Sequence, residues 1–518
     1  MTQDRTIPNR DSTRRAFLKT TTATCVAGSI TALEGGCAIA TENTQQDVEG
    51  PLAVVSASTD SQKGVIALDT ETGDRVWTYR LDRDFDVSPT VVDGTVYAPD
   101  TTPLFTADGS RTVPDLSSAP ASRRQPAQLH AIDAATGEKE WVTELGGGLA
   151  TGPPTIIGGT AYLSNGVSRD AEGQGFFAVD TETAEVQWSE TVDRRPSFAG
   201  VQVIEGLLYG VAGERLIAVE TETGAREWDL QLNADTSAGN ASPVVYDGVV
   251  YVGHGSASFS PITDEPFGTL HAVDAETGEE QWRLEGFDDQ VTTPPVYADG
   301  LVYVGSARQE NSVTAVDAAT GEIEWQFSDW LGNRDTGAVF GPAVVDDIAY
   351  VCGRGAGNNN VYALDAKTGE ERWSFYDIDR VIYTCTPTVY ENTLYVCGSV
   401  GRDGREHRLR AFDLEDREFT WETELERDSL GSVTPAAIVP DPDTGRSEDS
   451  RTTSGVFGHH QAWIDAQPTA VEPSVDDYRN ENDVVDTPGL RAAIEDWRND
   501  EITTSLLRAV IAAWRNAS

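Results

Sequence analysis

Apolar and polar residues alternate in short runs through the middle of the chain, and turn-forming residues separate these runs. One phrase returns eight times: alanine, an aliphatic residue, aspartate, two residues, Thr-Gly, three residues and tryptophan; its seventh copy, at residues 363–373, is ALDAKTGEERW. The apolar residues before the aspartate predict a strand. The aspartate and glycine predict a turn, because the carboxylate accepts backbone N–H groups and glycine supplies a positive φ. The tryptophan predicts a second strand, whose large ring fills space between neighbouring sheets.

A second phrase precedes most copies and predicts a hairpin. It has the sequence SPTVVDGTVY at residues 88–97 and returns at 242–251, 293–303, 341–350 and 386–395. A tight turn of the Asp-Gly kind between two apolar runs is typical of a β-hairpin. The hairpin, the Asp-Thr-Gly turn and the tryptophan strand together make four strands, which we name A, B, C and D.

The repetition predicts the fold class. Repeats of about 40–50 residues built from short strands are typical of propellers, with one blade for each repeat. We therefore expect an all-β fold, an eight-bladed β-propeller of four-stranded blades over residues 51–460. We interpret the repeated aspartates and tryptophans as structural. They are Asp69, Asp133, Asp180, Asp274, Asp317, Asp365 and Asp413, and Trp77, Trp141, Trp188, Trp228, Trp282, Trp325, Trp373 and Trp421.

The two ends of the repeat region predict how the ring closes. The chain enters with a B-type strand at residues 52–56, and a last A-type phrase at 433–438 has no C or D strand of its own. That phrase should complete the first blade and cover its exposed edge. Three copies depart from the consensus, and we expect looser or different C–D turns there. The departures are Ala184, Glu220 and Asp416-Arg417.

The N-terminal segment predicts export. Residues 13–19, TRRAFLK, resemble a twin-arginine signal, and residues 1–40 form the predicted signal region. LEGGC at residues 33–37 resembles a lipobox with Cys37 as the lipidated residue, although Glu34 stands where an aliphatic residue is expected. The alternative is cleavage after Ala40, which would remove Cys37. We expect a lipoprotein on the outer face of the cytoplasmic membrane, tethered by residues 41–50, or else a secreted protein.

The charge of the chain excludes two classes of partner. The formal net charge is −47, from 38 Lys and Arg against 85 Asp and Glu. A field of this sign repels nucleic acid and anionic membranes, so membrane contact is expected only through the lipid anchor. A surface rich in carboxylates and poor in lysine is similar to that of proteins from extreme halophiles. We interpret it as solvation in strong brine and not as a cation site.

Loop placement predicts a binding surface. In a four-stranded meander the A–B and C–D turns share one face of the ring, and the B–C and D–A connections share the other. The irregular insertions all fall in the second class, at about residues 98–128, 253–268 and 327–335. Binding residues often lie on such loops over a rigid scaffold. We predict that this face, near the channel mouth, binds a partner through Trp330, Arg334, Arg123, Arg124 and His254.

Histidine and cysteine patterns predict no catalytic or metal residue. His130 and His271 precede the repeat alanine and are expected to be strand residues, and the adjacent pair at 459–460 is a weak metal signal. No Cys-x-x-Cys occurs among the five cysteines. Counting back from the hairpin turn places Cys385 opposite Gly398, so a diagonal disulfide with Cys397 stays open. Small buried apolar roles are the favoured interpretation of these cysteines and of Cys352.

The C-terminal segment predicts a separate small unit. Residues 461–486 are acidic and polar and are expected to be a linker. The sequences LRAAIEDWRN at 490–499 and LRAVIAAWRN at 507–516 are near duplicates whose Leu, Ile and Trp fall on one helical face. Residues 487–518 therefore predict a small α-helical hairpin. It is too small to bury its apolar faces alone, and docking on the propeller or on a partner stays open.

The repeat resembles the PQQ-type propeller repeat over about residues 51–460. One branch with this repeat is the quinoprotein alcohol and sugar dehydrogenases, in which PQQ lies beside calcium and under a vicinal disulfide. The other is the BamB-like assembly lipoproteins, which carry no cofactor and scaffold other proteins. This chain has no adjacent cysteine pair, and calcium ligands cannot be assigned to its residues. Export and the irregular loop face suit the second branch.

The resemblance and the residues together predict a membrane-tethered, monomeric propeller scaffold without a cofactor. It would bind a protein or other extracellular partner. An alternative is a dehydrogenase of alcohols or sugars that depends on PQQ and calcium. A further alternative is an extracellular sensor or a polysaccharide-binding module.

Overall fold

The structure is a computed structural model that describes residues 50–439 with internal gaps. The gaps are 59–62, 81–86, 101–126, 147–148, 151, 167–174, 193–199, 233–241, 256–267, 288–290, 292, 307–311, 329–340, 346, 353–359, 377–381, 384–385, 401–405, 427–431 and 435. The predicted signal region, nearly all of the tether, the acidic linker and the helical hairpin lie outside the described residues. Within the described residues no helix is long and apolar enough to cross a membrane.

The first half of the repeat region forms blades 1 to 4. Blade 1 begins with β1 (Leu52–Ser58), β2 (Lys63–Asp69) and β3 (Arg75–Arg80). Blade 2 contains β4 (Thr90–Val92), β5 (Thr95–Pro99), β6 (Gln128–Asp133) and β7 (Lys139–Glu144). Blade 3 contains β8 (Leu149–Ala150), β9 (Thr155–Ile157), β10 (Thr160–Gly166), β11 (Gly175–Asp180) and β12 (Val186–Thr191). Blade 4 contains β13 (Gln202–Ile204), β14 (Leu207–Ala212), β15 (Arg215–Glu220) and β16 (Arg226–Gln231).

The second half forms blades 5 to 8 and ends in two strands that return to blade 1. Blade 5 contains β17 (Val244–Tyr246), β18 (Val249–Gly255), β19 (Gly268–Asp274) and β20 (Glu280–Phe287). Blade 6 contains β21 (Val296–Ala298), β22 (Leu301–Ser306), β23 (Ser312–Asp317) and β24 (Ile323–Phe327). Blade 7 contains β25 (Ala343–Val345), β26 (Ile348–Cys352), β27 (Asn360–Asp365) and β28 (Glu371–Tyr376). Blade 8 contains β29 (Ile382–Tyr383), β30 (Thr388–Tyr390), β31 (Thr393–Val400), β32 (Glu406–Asp413) and β33 (Glu418–Glu426), and β34 (Ser432–Val433) and β35 (Ala437–Val439) follow.

Each blade is an antiparallel meander in which neighbouring strands follow one another in the chain. The predicted eight-bladed propeller of four-stranded blades is confirmed. In blades 1, 3 and 8 the A position is divided between two short strands, β34 with β35, β8 with β9, and β29 with β30.

The ring closes as the chain ends predict. β35 pairs with β1 so that Val54 lies opposite Ala437, and β34 pairs with the end of the same strand. The Ser56 N–H donates to Thr434 Oγ1 at 3.0 Å, across nearly the whole repeat region. Thr388 Oγ1 of blade 8 donates to Ala436 O at 3.0 Å, which joins blade 8 to the closing strand. The first and last blades are therefore linked by hydrogen bonds as well as by packing.

The hydrophobic core lies in the seams between blades. Eight apolar clusters occur, one at each seam around the ring. The cluster between blades 1 and 2, for example, joins Val65 and Trp77 to Val96 and Ile132. Neighbouring blades cover both faces of the B and C strands, so these strands carry nearly continuous apolar runs. Each fully buried Val, Leu or Ile contributes about 1.5–3 kcal/mol. The D strands at the rim alternate between exposed and half-buried residues, as in β12.

The repeat tryptophan attaches one blade to the next. Trp282 of blade 5 donates its Nε1–H to Ala318 O of blade 6 at 2.9 Å, and Tyr251 OH donates to the same oxygen at 3.3 Å. Seven blades share the tryptophan bond. Its pairs are Trp77 with Ala134 (2.8 Å), Trp141 with Thr181 (3.0 Å), Trp188 with Thr221 (2.7 Å), Trp228 with Ala275 (3.0 Å), Trp282 with Ala318 (2.9 Å), Trp325 with Ala366 (2.9 Å) and Trp421 with Thr70 (2.8 Å).

The repeat aspartate forms the C–D turn. Asp317 Oδ1 accepts the N–H of Thr320 at 2.8 Å and the hydroxyl of the same residue at 2.8 Å. The Gly321 N–H donates to Asp317 O at 2.9 Å. Hydrogen bonds from Thr320 hold the pKa of Asp317 below its usual range. The carboxylate is therefore engaged by its own turn, which explains the aspartate without any ligand.

The expectation of looser or different turns in the divergent copies is wrong for the backbone hydrogen bonds of these turns. Ala184 donates to Asp180 O at 2.9 Å, Arg417 donates to Asp413 O at 2.9 Å, and the turn after Glu220 keeps the corresponding bond from Gly224 at 2.9 Å. Ala184 and Arg417 hold the left-handed conformation of the missing glycine, with φ of 60° and 56°. The strain of about 1–2 kcal/mol per residue is small enough for the surrounding sheet to impose this geometry.

Candidate functional site

The two faces of the ring differ in kind. On one face, which we call the turn face, lie the A–B and C–D turns; the A–B turns contain two residues each, such as Asp247-Gly248 in blade 5. On the other, which we call the connection face, lie the B–C and D–A connections. These range from Gly213-Glu214 in blade 4 to residues 100–127 in blade 2. The strand order thus places the regular turns on one face of the ring and the variable connections on the other.

The turn face is acidic, and its carboxylates serve the turns. The first residue of the A–B turn is Asp or Glu at positive φ in five blades: Asp93, Glu205, Asp247, Asp299 and Glu391, with φ between 46° and 49°. In blade 7 the second turn residue, Asp347, has φ of 61°. Lys367 lies among them, with Nζ 3.1 Å from Asp347 Oδ1 and 3.6 Å from Asp299 Oδ2. The hydrogen bond to Asp347 is the main cause that raises the pKa of Lys367. Exposed ion pairs of this kind contribute little to the free energy of unfolding. The turn face as a whole is regular, exposed to solvent and negatively charged.

Four of the five residues predicted to bind a partner lie outside the described residues: Trp330, Arg334, Arg123 and Arg124. The fifth, His254, lies at the end of β18, beside the B–C connection of blade 5, and its side chain is 1% exposed. The structure therefore places His254 next to the connection face but not on an open surface. Cys37 also lies outside the described residues.

A buried network joins blades 1 and 2 near the connection face. Asp100, directly after β5, accepts the Gln128 N–H through Oδ1 at 2.8 Å. Its Oδ2 is 3.3 Å from His130 Nε2, and His130 Nδ1 is 3.1 Å from Tyr79 OH of blade 1. Burial, with a smaller contribution from Asp100, raises the pKa of Tyr79 to about 12. Both ring nitrogens of His130 are hydrogen-bonded, so we interpret this network as a structural link between blades 1 and 2.

Blade 5 repeats this arrangement with different chemistry. His271 occupies the position of His130, one residue before the repeat alanine, and His254 occupies the position of Asp100, three residues after the B-strand tyrosine. The His254 and His271 rings lie 6.4 Å apart at 79°. His271 Nδ1 is 2.8 Å from Glu280 Oε1. Burial is the largest cause that lowers the pKa of His254, to about 4, and it also lowers the pKa of His271.

Sequence reasoning assigned His130 and His271 to strands but missed their buried polar partners. The available signal was positional, since the residue before the repeat alanine is basic in three blades: His130, His271 and Arg410. In blade 8, Arg410 is 2.8 Å from Glu422 Oε2, and its guanidinium carbon lies 3.6 Å from the centre of the Phe419 ring. Comparing equal positions across copies would have shown a recurring buried polar slot.

The two described cysteines, Cys352 and Cys397, are both buried. The expected register, with Cys385 opposite Gly398, is wrong: Tyr383 lies opposite Gly398, because the A position of blade 8 is divided between β29 and β30. Cys385 itself lies outside the described residues. Cys397 Sγ donates to Thr434 O at 3.0 Å, so this thiol faces the closing segment.

The described residues do not fit a quinone cofactor with calcium. Across the described part of residues 50–439, no three His, Cys, Asp or Glu side chains come together as a metal site. The repeat aspartates bond to their own turns, and the full sequence contains no adjacent cysteine pair to cover a quinone. No chemical step is therefore assigned to such a group.

A family profile described as outer membrane protein assembly factor BamB matches residues 47–119, 116–264, 261–351 and 309–445. The chain belongs to this family. The BamB-type match covers all eight blades and leaves out the N-terminal segment and the tail. The resemblance to PQQ-type propeller repeats is confirmed.

Curated relatives match the BamB-type propeller over limited segments. Serine/threonine-protein kinase AfsK from Streptomyces griseus is 32% identical over 185 residues, which are 34% of this chain and 21% of the kinase. Quinohemoprotein alcohol dehydrogenase ADH-IIG from Pseudomonas putida is 36% identical over 100 residues, 18% of this chain and 13% of that enzyme. The matched segments thus span about a fifth and about an eighth of these relatives' own lengths.

Among solved structures, BamB from Moraxella catarrhalis is similar in architecture. The superposition has a TM-score of 0.46 and 21% sequence identity, and it covers 67% of this chain and 96% of that chain.

Proposed function

We propose that this protein is an extracytoplasmic scaffold that binds a protein or other extracellular partner through the connection face. Export by the twin-arginine route and a lipid anchor at Cys37 would hold the propeller at the outer face of the cytoplasmic membrane. The propeller itself would act as a monomer. Family membership supports this proposal, since the family description names an assembly factor.

The observation that carries the proposal is the asymmetry between the two faces. The turn face repeats one short design, and its carboxylates are used in turn hydrogen bonds. The connection face differs from blade to blade in the length of its connections. Variable connections on a rigid frame are where binding residues are usually found. Trp330, Arg334, Arg123 and Arg124 are large or cationic residues within the variable connections of a strongly acidic chain.

The test is partner capture by paired variants. Trp330→Ala with Arg334→Ala should reduce the partner recovered by crosslinking in the native envelope, because aromatic and arginine side chains often dominate binding energy. The free energy of unfolding should change little. The matched control is Lys367→Ala with Glu370→Ala on the turn face, which should leave capture unchanged. Equal capture by the wild-type protein and the connection-face variant would contradict the proposed surface, and so would a loss confined to the turn-face variant.

A second function is favoured by one observation, the 36% identity with a quinohemoprotein alcohol dehydrogenase over 100 residues. A dehydrogenase would bind PQQ and calcium and oxidise alcohols or sugars. Calorimetric titration of residues 47–518 with PQQ and calcium in molar KCl separates the two functions. Saturable one-to-one binding with a shifted quinone spectrum would support the dehydrogenase, whereas no binding would leave the scaffold as the better account.

A further inference from the structure

Two histidines of blade 5 share one side of the sheet. In the pairing of β18 with β19, His254 lies opposite Thr269, and His271 is two residues further along β19. This diagonal relation places both side chains on the same face, within reach of each other. The ring centroids are 6.4 Å apart, and each side chain is 1% exposed. The pair is therefore an enclosed imidazole cluster beside the B–C connection.

One nitrogen of this cluster has no partner. His271 Nδ1 bonds to Glu280 at 2.8 Å, but His271 Nε2 is buried without any hydrogen bond. In blade 2 the equivalent nitrogen, His130 Nε2, faces Asp100 at 3.3 Å. Buried polar atoms are nearly always satisfied, so an orphaned imidazole nitrogen requires an explanation. Blade 5 has His254 at the position of Asp100 in blade 2. It therefore lacks the carboxylate that faces the histidine in blade 2 and has a second imidazole instead.

The bond to Glu280 prepares His271 for one kind of ligand. The Glu280 carboxylate accepts a hydrogen bond from His271 Nδ1–H, so the neutral ring has its lone pair on Nε2. Metal-binding histidines usually donate their other ring N–H to a carboxylate or carbonyl in this way. Imidazole nitrogen is a preferred ligand of zinc, copper and nickel. We propose that His254 and His271 bind a late first-row transition metal ion.

The spacing of the rings narrows the choice of ion. With a metal–nitrogen distance of about 2.0–2.1 Å, each ring centroid lies about 3.2 Å from a shared ion. The observed separation of 6.4 Å equals the largest that two rings sharing one ion can have, with a nitrogen of each ring pointing at the ion, whereas a tetrahedral angle would need about 5.2 Å. The long separation therefore favours copper(I), which accepts two nitrogen ligands in a line, and zinc would require the rings to approach each other.

The surrounding charges favour a cation. Glu280 and Glu285 act on His271 and Glu214 acts on His254, with Arg283 as the opposing positive charge. Arg283 itself is held near Glu285, with Nε 3.1 Å from Oε1. A metal ion entering the pair meets a net negative environment.

The test is metal binding by the full exported chain. Copper(I) is added anaerobically in concentrated potassium sulfate, because chloride would complex the ion, and a chromophoric chelator competes for it. A parallel titration uses Zn²⁺. We expect one ion per chain with copper(I) bound more tightly, and a melting temperature that rises with added metal. Glu280→Gln should weaken the affinity by about 10–100-fold, as for other residues that orient a ligand.

The decisive variant is His254→Asp, which recreates the blade 2 arrangement in blade 5. With a carboxylate at position 254, His271 can take up a second proton and donate Nε2–H to it, so the protein should fold with at least wild-type stability without metal, and the specific ion should be lost. His130→Gln removes a histidine whose nitrogens are both engaged, and it should keep the ion. Absence of stoichiometric binding of either metal to the wild-type protein would overturn the proposal, as would unchanged binding by His254→Asp. Failure here leaves the scaffold proposal untouched, because the partner test uses other residues.

Discussion

The glycine of the Asp-Thr-Gly turn supplies a positive φ and also leaves room for a tryptophan ring of the preceding blade. A pair of alanine substitutions can separate these two effects. Gly321 has φ of 74°, and a Cβ there would lie 2.8 Å from the Trp282 ring of blade 5. Gly248, in an A–B turn, has nearly the same φ of 73°, but a Cβ there would meet nothing within 4 Å. Gly321→Ala therefore introduces backbone strain and a steric clash, whereas Gly248→Ala introduces backbone strain alone.

The two costs can be estimated from these geometries. Left-handed backbone costs an alanine about 1–2 kcal/mol relative to glycine. The reduced entropy of the unfolded chain returns about 0.4–1 kcal/mol. Gly248→Ala should thus destabilise the protein by about 1 kcal/mol. Overpacking adds about 1–3 kcal/mol, since the half-buried Trp282 ring must move out of the seam between blades. Gly321→Ala should therefore lower the free energy of unfolding by about 2–4 kcal/mol.

The assay is equilibrium urea unfolding at a fixed molar KCl concentration, followed by tryptophan fluorescence. High salt is required because a chain with net charge −47 repels itself when screening is weak. A double-mutant cycle adds Trp282→Leu, which removes most of the ring that alanine at 321 would strike. The cost of Gly321→Ala should then fall toward that of Gly248→Ala.

Equal destabilisation by the two alanine variants would refute the claim that the glycine is needed for contact between blades. A full cost of Gly321→Ala in the Trp282→Leu background would have the same meaning. In either case the glycine would be explained by its φ alone.

Three further predictions follow from the described contacts. Ala184→Gly should raise the free energy of unfolding by up to about 1 kcal/mol in the same urea assay, because it relieves a left-handed alanine without changing the turn. Metal-free wild-type protein should lose stability as the pH falls from 6.5 toward 4, since burial lowers the pKa of His254 and the unfolded chain then binds the proton first; His254→Gln should flatten this dependence in pH-dependent melts. The hydrogen bond from Arg372 is the main cause that lowers the pKa of Asp365 to about 2, so Arg372→Gln should raise it toward 3.8 in an NMR titration of the carboxyl carbon, and an unchanged value would contradict that cause.

Most of the fold could be predicted because the information is local and repeated. Apolar runs bounded by Asp-Gly turns specify hairpins without reference to distant residues, and eight copies average out the exceptions. Ring closure was also predictable, since an unpaired A-type phrase at one end matches a blade that lacks one at the other. The turn at Ala184 was not predictable in this way. The sequence shows that glycine is missing, but the sheet on both sides decides whether the backbone still adopts its conformation.

The candidate site was predicted less well, for a physical reason. Strand order predicts which face carries the variable connections, but not which side chains are buried within a blade. His254 was assigned to a loop, whereas it lies within β18, one residue before the strand ends, and is buried. Its relation to His271 depends on strand register, and a pattern of single residues does not report register. Aligning the copies by the B-strand tyrosine and the repeat alanine would have revealed the pair.

The late arrival of the closing strands has a consequence for how this protein is made. Residues 432–439 complete a sheet whose other strands begin at Leu52, so blade 1 lacks its inner strand until almost the whole propeller has left the ribosome. Bringing these ends together carries a loop-closure cost, and contacts so distant in sequence form slowly. A nonsense mutation or proteolytic nick just before Ser432 would spare seven blades yet leave an open edge on β1. A permuted gene that starts between two other blades should move this late closing step to a different seam.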